Sequence, residues 1–202
     1  GLLYISDTGN NRVIKSEKDG DVLGVYAGTP DKPFNKPMGL FVDPDGDIYI
    51  ADKGNQRIVH LSPDGKQIEE FGNLDSPLLG KEFLFEPANI CVSSTGYLYT
   101  TKGHSIMTID ANNEFRGYIG SIQIGFDLKR SLVRMFATEE QKGRISRELP
   151  PSYSNIVMAD DGTVFATSVN TSSEQIIALN SVGMNTFQTG SYGETIDEEG
   201  NQ

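Results

Sequence analysis

The chain has 202 residues, of which 17 are Lys or Arg and 28 are Asp or Glu, so its formal net charge is −11. A protein whose main task is to grip nucleic acid or an anionic membrane needs a positive field, so this charge argues against both as main partners. Hydrophobic residues make up 37%, and no apolar run approaches the roughly 20 residues that a membrane-spanning helix requires.

A repeated motif begins at residue 3 and sets the organisation of the chain. The segment Leu3–Val13 returns 45 residues later as Ile48–Ile58, and both copies contain Tyr-Ile-x-Asp-x-Gly-Asn-x-Arg. A looser third copy follows at an offset of 50, where Pro87–Val92 matches Pro37–Val42. A fourth copy begins at Tyr153, after an insertion. Such repetition predicts a stack of similar units.

Each copy has the pattern of a small antiparallel sheet. Leu40 and Val42 alternate with their neighbours, as residues of half-buried strands do. Glycine-containing turns between the strands supply the positive φ that a tight hairpin needs. Strand and turn units at a spacing of about 40–50 residues are typical of β-propeller blades with four antiparallel strands. One blade cannot bury both of its faces, so neighbouring blades must stack.

The motif Tyr-Ile-Ala/Ser-Asp-x-Gly-Asn-x-Arg-Ile/Val, preceded by Pro-x-Gly-Leu-x-Val-Asp and a Gly turn, resembles the NHL repeat. The resemblance is close over residues 2–28 and 37–72, looser over 87–120 and weak over 152–190, and it implies a propeller, usually of six blades. The third copy departs from the pattern, because Thr100–Ser105 lacks both the Asp and the Arg and is two residues shorter. The resemblance also implies structural partners that brace the loop between the second and third strands: Asp7, Asn10, Arg12, Asp52, Asn55 and Arg57.

We therefore predict an all-β fold, a β-propeller of four-stranded antiparallel blades with about 3.5–4 blades of a six-bladed ring in this chain. Residues 1–28 are expected to form a partial blade that lacks its innermost strand. Strand edges and apolar faces would be left open in such an arc, so we expect missing residues or a second chain to complete the ring. The other predicted units are blades at residues 37–72, 87–120 and 152–190, a helical insertion at 121–151, and an acidic tail at 191–202 that leads to a missing blade.

The insertion has a different periodicity, which predicts a helical hairpin. Apolar residues fall on one face of the first helix, and Asp127 can cap its start. Thr138 and Gln141 form a capping box for the second helix, and Pro150 and Pro151 end it. Packing on one rim of the propeller explains this pattern, and a lid over the channel mouth is the alternative.

Two asparagines are the main ligand-binding candidates. Asn89 and Asn155 directly precede the innermost strand of a blade, at the position that Gly39 holds in the second copy. Innermost strands of a propeller line its channel, so we expect both amides at the channel mouth, with Lys102 and His104 as further candidates there.

This placement resembles that in six-bladed lactonase and paraoxonase-like enzymes, which bind a catalytic calcium through Asn, Asp and Glu oxygens. Calcium needs about six to eight oxygen ligands, and Asn89, Asn155 and Glu86 do not supply that number. We therefore predict no metal site and no cofactor, with calcium at these three residues as the alternative.

Three further features are better explained by structure than by chemistry. The segment Asp43–Asp47 is similar to a calcium loop, but its Gly is at the fourth position, so a hairpin turn is the preferred interpretation. His60 lies in a predicted strand and is interpreted as a packing or surface residue. Cys91 is the only cysteine, which excludes a disulfide framework, and its apolar strand predicts an inert buried thiol.

The sequence favours a non-catalytic NHL-type binding or scaffold module that recognises a protein, peptide or glycan, and not a nucleic acid. One alternative is a calcium-dependent lactonase or lyase-like propeller enzyme with its site in the central channel. Another is a propeller that only spaces other domains. The acidic composition and the Asp-Gly turns resemble those of bacterial extracytoplasmic proteins, so we expect a cell-envelope location, with any targeting segment outside this sequence.

Overall fold

The computed structural model describes residues 1–80, 82–103, 105–119, 152–168, 175–180 and 183–187. Their regular secondary structure is nearly all β-strand, with two short 3-10 turns at Thr8–Asn10 and Lys53–Asn55. The predicted helical hairpin at residues 121–151 and the predicted acidic tail at residues 191–202 lie outside the described residues. Among the residues described, no helix is long and apolar enough to cross a membrane.

The strands form four antiparallel sheets, which we call blades 1 to 4, and one small hairpin. Blade 1 has three strands, blades 2 and 3 have four each, and three are described for blade 4. Blade 1 contains β1 (Leu2–Asp7), β2 (Arg12–Glu17) and β3 (Val22–Tyr26), and is followed by the hairpin of β4 (Gly28–Thr29) and β5 (Lys32–Pro33). Blade 2 contains β6 (Pro37–Val42), β7 (Ile48–Asp52), β8 (Arg57–Leu61) and β9 (Gln67–Gly72). Blade 3 contains β10 (Ile90–Val92), β11 (Leu98–Lys102), β12 (Ser105–Ile109) and β13 (Phe115–Ile119). Blade 4 contains β14 (Tyr153–Met158), β15 (Val164–Ser168) and β16 (Ile176–Leu179).

The blades stack through apolar cores that lie between successive sheets. Alternation along each strand divides its residues between two neighbours, so that Ile50 and Val59 face blade 1 while Tyr49 and Ile58 face blade 3. Each fully buried aliphatic side chain contributes about 1.5–3 kcal/mol to stability. The core between blades 1 and 2 includes Val13, Ile50 and Val59, the next includes Ile58, Phe71 and Met107, and the third includes Ile106, Ile156 and Ala166. This stacking of repeated antiparallel sheets is the β-propeller arrangement that the sequence predicted.

The inner strands of successive blades also contact one another. Strand β6 lies against β10, and β10 lies against β14. Gly39, at the start of β6, donates its N–H to the carbonyl of Ala88 at 2.7 Å. A Cβ atom on Gly39 would lie only 2.3 Å from that carbonyl oxygen, so this close approach of two backbones requires glycine.

Blade 1 is less buried than blade 2, with which it shares its repeat motif. Its first strand, β1, corresponds to β7, the second strand of blade 2, and the two strands have similar sequences. Ile5 in β1 is nevertheless 48% exposed, whereas its counterpart Ile50 in β7 is 0% exposed. Leu3, Val22 and Val25 are also exposed. The difference lies in what covers the two sheets, because β7 has a strand on both sides and a blade on both faces.

A pair of glycines tests how closely the connector, the segment between blades 1 and 2, packs on the loop that follows β7. Gly54 donates to the Asn35 carbonyl at 2.8 Å, and a Cβ there would lie 2.7 Å from that oxygen. We expect Gly54→Ala to lower the free energy of unfolding by about 1–3 kcal/mol, because packed backbone must move. Gly9 is its counterpart in blade 1, where a Cβ would meet no atom within 4 Å.

Gly9→Ala is therefore the matched control, and we expect its free energy of unfolding to stay within about 0.5 kcal/mol of the original. Urea denaturation of the two variants measures the difference. Equal losses in the two variants would contradict the described seating of the connector on Gly54.

Candidate functional site

The two ends of the strands form two rims of the molecule. We call the end at which β6, β10 and β14 begin the connector rim, because the segments that link successive blades reach it. Pro37, the first residue of β6, pairs with Asp52 at the end of β7, so the short loops that follow β1 and β7 lie at this rim as well. The opposite end carries the tight hairpin turns.

The connector rim of blade 2 is held by a buried carboxylate. Asp52, fully buried, accepts hydrogen bonds from the N–H of Asn35, the side-chain amide of Asn55 and Nε of Arg57, each at 2.7 Å. Arg57 also donates to the Glu70 carboxylate at 2.7 Å and to the Lys32 carbonyl at 2.9 Å. Every charge in this network has a partner, so it braces the loop and the connector together.

The corresponding residues in blade 1 form two of these contacts and are more exposed. Asp7 accepts from Asn10 at 2.9 Å and from Nε of Arg12 at 2.8 Å. These hydrogen bonds, from Asn10 first and then from Arg12, lower the pKa of Asp7. The Arg12 side chain is 43% exposed and that of Arg57 only 3%. Among the described residues, connector residues hydrogen-bond Asp52 and Arg57 but not Asp7 or Arg12.

Blade 3 has a basic side chain at the position that Asp7 and Asp52 occupy in blades 1 and 2. Register places Lys102 at the end of β11, where Asp52 stands at the end of β7. Its ammonium donates to the carbonyl of Leu84 in the connector and lies 3.9 Å from the centre of the Phe83 ring. Burial lowers the pKa of Lys102, and the nearby Glu86 carboxylate opposes that shift. A cation that donates has thus replaced an anion that accepts.

In blade 4 the same position holds Ser168, which is buried, and its N–H donates to the Gln175 carbonyl at 2.9 Å. The position therefore runs Asp, Asp, Lys, Ser along the four blades. The first two residues form the structural ion pairs, and the last two do not.

A set of polar side chains follows Lys102 at the rim where blades 3 and 4 meet. The Asn89 amide donates to Thr101 Oγ1 at 3.2 Å and crosses to the carbonyl of Ser154 at 3.0 Å. Ser154 in turn shares a hydrogen bond with the Thr167 hydroxyl at 3.0 Å. Asn155 accepts the N–H of Ile156 at 2.9 Å through Oδ1.

We call Asn89, Thr101, Lys102, Ser154 and Asn155 the rim cluster. Within the described residues, no group donates to Asn89 Oδ1 and none accepts from Asn155 Nδ2. The cluster therefore offers an acceptor, an amide donor and an ammonium group on the same rim, and such groups can hydrogen-bond a polar ligand.

The sequence-predicted candidates fall in and around this cluster. Asn89, Lys102 and Asn155 lie in it, and Glu86 is an exposed residue in the connector beside it. His104 lies outside the described residues. Sequence reasoning missed Thr101 and Ser154, because their contacts depend on how far apart two blades sit.

The rim cluster does not fit a calcium ion. Its oxygens come from amides, hydroxyls and carbonyls, and the Glu86 carboxylate of the connector interacts electrostatically with the Lys102 ammonium. Calcium requires about six to eight oxygens with several carboxylates among them, and an adjacent ammonium repels it. In the described parts of the chain, no group of three or more His, Cys, Asp or Glu residues is placed to hold a metal.

The opposite rim holds the other candidates. Asp43 Oδ1 accepts the N–H groups of Asp45 and Asp47, both at 2.9 Å, so this acidic segment forms a hairpin turn. His60 lies between two carboxylates, with Nε2 2.9 Å from Asp47 and Nδ1 3.0 Å from Glu69.

The His60 ring also stacks on Tyr49, with the ring centres 4.1 Å apart. Burial, with smaller contributions from the nearby carboxylates, raises the pKa of Tyr49 to about 12. Burial likewise raises the pKa of the Cys91 thiol to about 12, so the sulfur stays protonated at neutral pH. Tyr49 packs in the core between blades 2 and 3, and Cys91 packs in the core between blades 3 and 4.

Comparisons with known proteins agree with this architecture. Residues 34–61 match the family model for the NHL repeat. The chain is similar to virginiamycin B lyase from Staphylococcus aureus, with 14% identity, a TM-score of 0.58, and coverage of 96% of this chain and 53% of that one. It is also similar to a protein of unknown function from Bacteroides caccae, with 10% identity, a TM-score of 0.58, and coverage of 95% and 57%.

The WD40 β-propeller domain of Doa1 is a more distant match, with 12% identity, a TM-score of 0.51, and coverage of 88% of this chain and 45% of that one. No curated protein matches the chain in sequence. The chain spans about half the length of the solved structures that it resembles. The fold and the repeat define a β-propeller protein that contains an NHL repeat, which confirms the fold predicted from the sequence.

Removal of the buried carboxylate tests the network of blade 2. Asp52→Ala leaves the 3%-exposed Arg57 guanidinium without its main partner, and loss of one member of a buried ion pair typically lowers stability by about 3–5 kcal/mol. Asp7→Ala is the matched control, because the corresponding ion pair in blade 1 is partly exposed to water and contributes less. Urea denaturation measures both variants.

We expect Asp52→Ala to unfold at a much lower urea concentration and Asp7→Ala to stay close to the original protein. If Asp7→Ala lost as much stability as Asp52→Ala, the cover provided by the connector would not be the source of the difference.

Proposed function

We propose that this protein is an NHL-type propeller module that binds a protein, peptide or glycan partner at the connector rim of blades 3 and 4. The observation that carries the proposal is the change from Asp52 to Lys102 at one recurring position. Blade 2 uses that position to close a network in which every charge is paired, and blade 3 uses it to present an ammonium.

The chemistry of the rim cluster suits a polar, non-nucleic-acid ligand. Asn89 offers an acceptor oxygen, Asn155 an amide donor, and Lys102 its remaining N–H groups. Peptide groups and sugar hydroxyls both present alternating donors and acceptors, which match such a set. Leu84, which is exposed beside Lys102, adds apolar surface, as ligand sites commonly combine apolar walls with a few oriented polar groups.

The negative net charge of the chain supports a partner that is not a nucleic acid. The net charge of −11 opposes association with a polyanion, because neutralising phosphates requires clustered cations. We also propose an extracytoplasmic location, on the basis of the acidic composition and the NHL resemblance.

A second candidate function is a lyase-type activity in the propeller channel. The observation in its favour is the similarity to virginiamycin B lyase over 96% of this chain. Incubation with quinupristin, which is bound in that lyase structure, followed by mass spectrometry distinguishes the two functions. A new product would support the lyase, and unchanged quinupristin would remove this candidate.

Binding at the connector rim is tested by arrays of peptides and oligosaccharides probed with the labelled protein. We expect at least one ligand to be retained. Asn155→Ala and Lys102→Met should each weaken its binding by about tenfold, because a tenfold change corresponds to about 1.4 kcal/mol, the scale of one hydrogen bond to a charged or amide group.

Thr95→Ala is the matched control, because Thr95 is exposed in the turn at the opposite end of blade 3. Its binding should equal that of the original protein. A panel without any retained ligand, or ligands bound equally by all three variants, would contradict a recognition site at the rim cluster.

A further inference from the structure

A groove lies between blades 1 and 2, along the last strand of blade 1. One wall is formed by β3 and the segment that follows it, and the other by the end of β8 and the turn that leads to β9. The groove has a volume of about 560 Å³, within the range of about 300–1,000 Å³ that small-molecule pockets occupy. Its lining residues include Lys15, Gly24, Tyr26, Leu61, Pro63 and Gly65.

Lys15 is the basic residue of this groove. It is half-buried on β2, and its ammonium donates to the carbonyl of Pro63 in blade 2 at 3.4 Å. The same nitrogen lies 5.6 Å from the centre of the Tyr4 ring. None of the ion pairs formed among the described residues includes Lys15. An ammonium has three donor hydrogens, so Lys15 can still donate to a further acceptor.

The next repeat shows which group meets this position when the protein supplies one. Lys15 corresponds to His60 and Gly24 to Glu69, because 60 − 15 and 69 − 24 both equal the repeat offset of 45. In each blade the two residues are cross-strand partners. The Glu69 carboxylate lies 3.0 Å from the His60 ring. Blade 1 has a glycine in place of that glutamate, so its cation faces no carboxylate across the strands.

Blade 3 shows that the glycine alone does not create this situation. Gly117 stands at the same position there, but its cross-strand partner is the uncharged Thr108. Of the pairs described in blades 1 to 3, the one in blade 1 sets a cation opposite a glycine. The neighbouring aromatic residue is retained, because Lys15 lies over Tyr4, which corresponds to Tyr49 in blade 2.

Apolar side chains line the groove as well. Leu61 is 4% exposed, and the half-buried Tyr26 ring packs on Gly65, where a Cβ atom would lie only 2.4 Å from the ring. The turn therefore holds this ring in place. Asp64 also lines the groove, but its carboxylate is paired with Lys66 at 2.9 Å. The groove thus combines a cation that has no carboxylate partner with a fixed apolar wall.

We propose that this groove binds a small carboxylic acid that has an apolar body. Its carboxylate pairs with the Lys15 ammonium, in the place that Glu69 takes in blade 2, and its apolar body packs on Tyr26 and Leu61. The net charge of −11 opposes anions in general, so the attraction comes from this one lysine and the apolar contact. The groove is separate from the rim cluster, and binding there does not depend on the function proposed above.

The test is an NMR titration of the full chain at neutral pH with acetate, hexanoate and 4-phenylbutyrate. We expect saturable shifts of backbone amides in β2, β3 and the turn after β8, with an affinity that rises with the size of the apolar body. The uncharged match is 4-phenylbutanamide. It should bind at least about tenfold more weakly than 4-phenylbutyrate, because it cannot form an ion pair with the ammonium.

Removal of the ammonium tests its role. Lys15→Met should weaken the binding of 4-phenylbutyrate about tenfold or more. Lys53→Met is the matched control, because Lys53 lies in the loop after β7 and does not line the groove. Its binding should equal that of the original protein.

A second pair of variants supplies the carboxylate from the chain itself. Gly24→Glu gives Lys15 the cross-strand partner that His60 has, so it should also weaken the binding of 4-phenylbutyrate about tenfold or more. Gly24→Ala is its control and should bind as the original protein does, because a Cβ at this position would lie 3.7 Å from the Tyr26 hydroxyl, an ordinary contact.

Four results would each overturn the proposal. They are the absence of saturable binding by 4-phenylbutyrate, equal binding of its amide, unchanged binding by Lys15→Met, and unchanged binding by Gly24→Glu. A short peptide with one glutamate and blocked ends provides the remaining arm. If it bound more tightly than 4-phenylbutyrate, the groove would take an acidic side chain of a partner polypeptide, which would contradict the assignment to a small acid.

Discussion

Burial of each blade by its neighbours is the constraint on which the rest of the structure depends. A four-stranded sheet has two apolar faces, and alternation along the strands gives each face to a different neighbour. Blade 2 meets this requirement on both sides, through the cores that contain Ile50 and Ile58. In the described residues, blade 1 packs against a neighbour on one face only, and Ile5 is therefore 48% exposed.

The same constraint explains where chemistry becomes possible. A buried carboxylate at the position of Asp52 is tolerated only because the loop and the connector satisfy all of its hydrogen bonds. A blade that brings a different residue to this position must hold its connector in another way and can then present new groups at the rim. Lys102 is such a residue, and the Asn89 bridge to Ser154 keeps blades 3 and 4 together beside it.

Much of this could be predicted from the sequence, because the Tyr-Ile-x-Asp-x-Gly-Asn-x-Arg motif repeats at fixed spacing. The motif predicted the strands, the turns and the propeller fold. The absence of its Asp and Arg in Thr100–Ser105 indicated that blade 3 differs from blades 1 and 2. What held that loop in place was not predictable. The contact of Lys102 with Leu84 depends on the path of a connector without repeat character.

Some contacts within a blade were also beyond the sequence, since they depend on how its strands pair. The hydrogen bonds of His60 to Asp47 and Glu69 require the register of β7, β8 and β9 at once. The exposure of Arg12 relative to Arg57 depends on the cover above each loop, which identical motifs cannot report.

Amide hydrogen exchange of the native protein, resolved by strand, tests the central claim that neighbouring blades stabilise one another. If burial by neighbours decides stability, β7 and β8 will be among the slowest strands to exchange, and β1 and β2 will exchange much faster although they carry the same repeat motif. Equal protection of the two pairs of strands would show that the repeat is stable without its neighbours and would contradict this account.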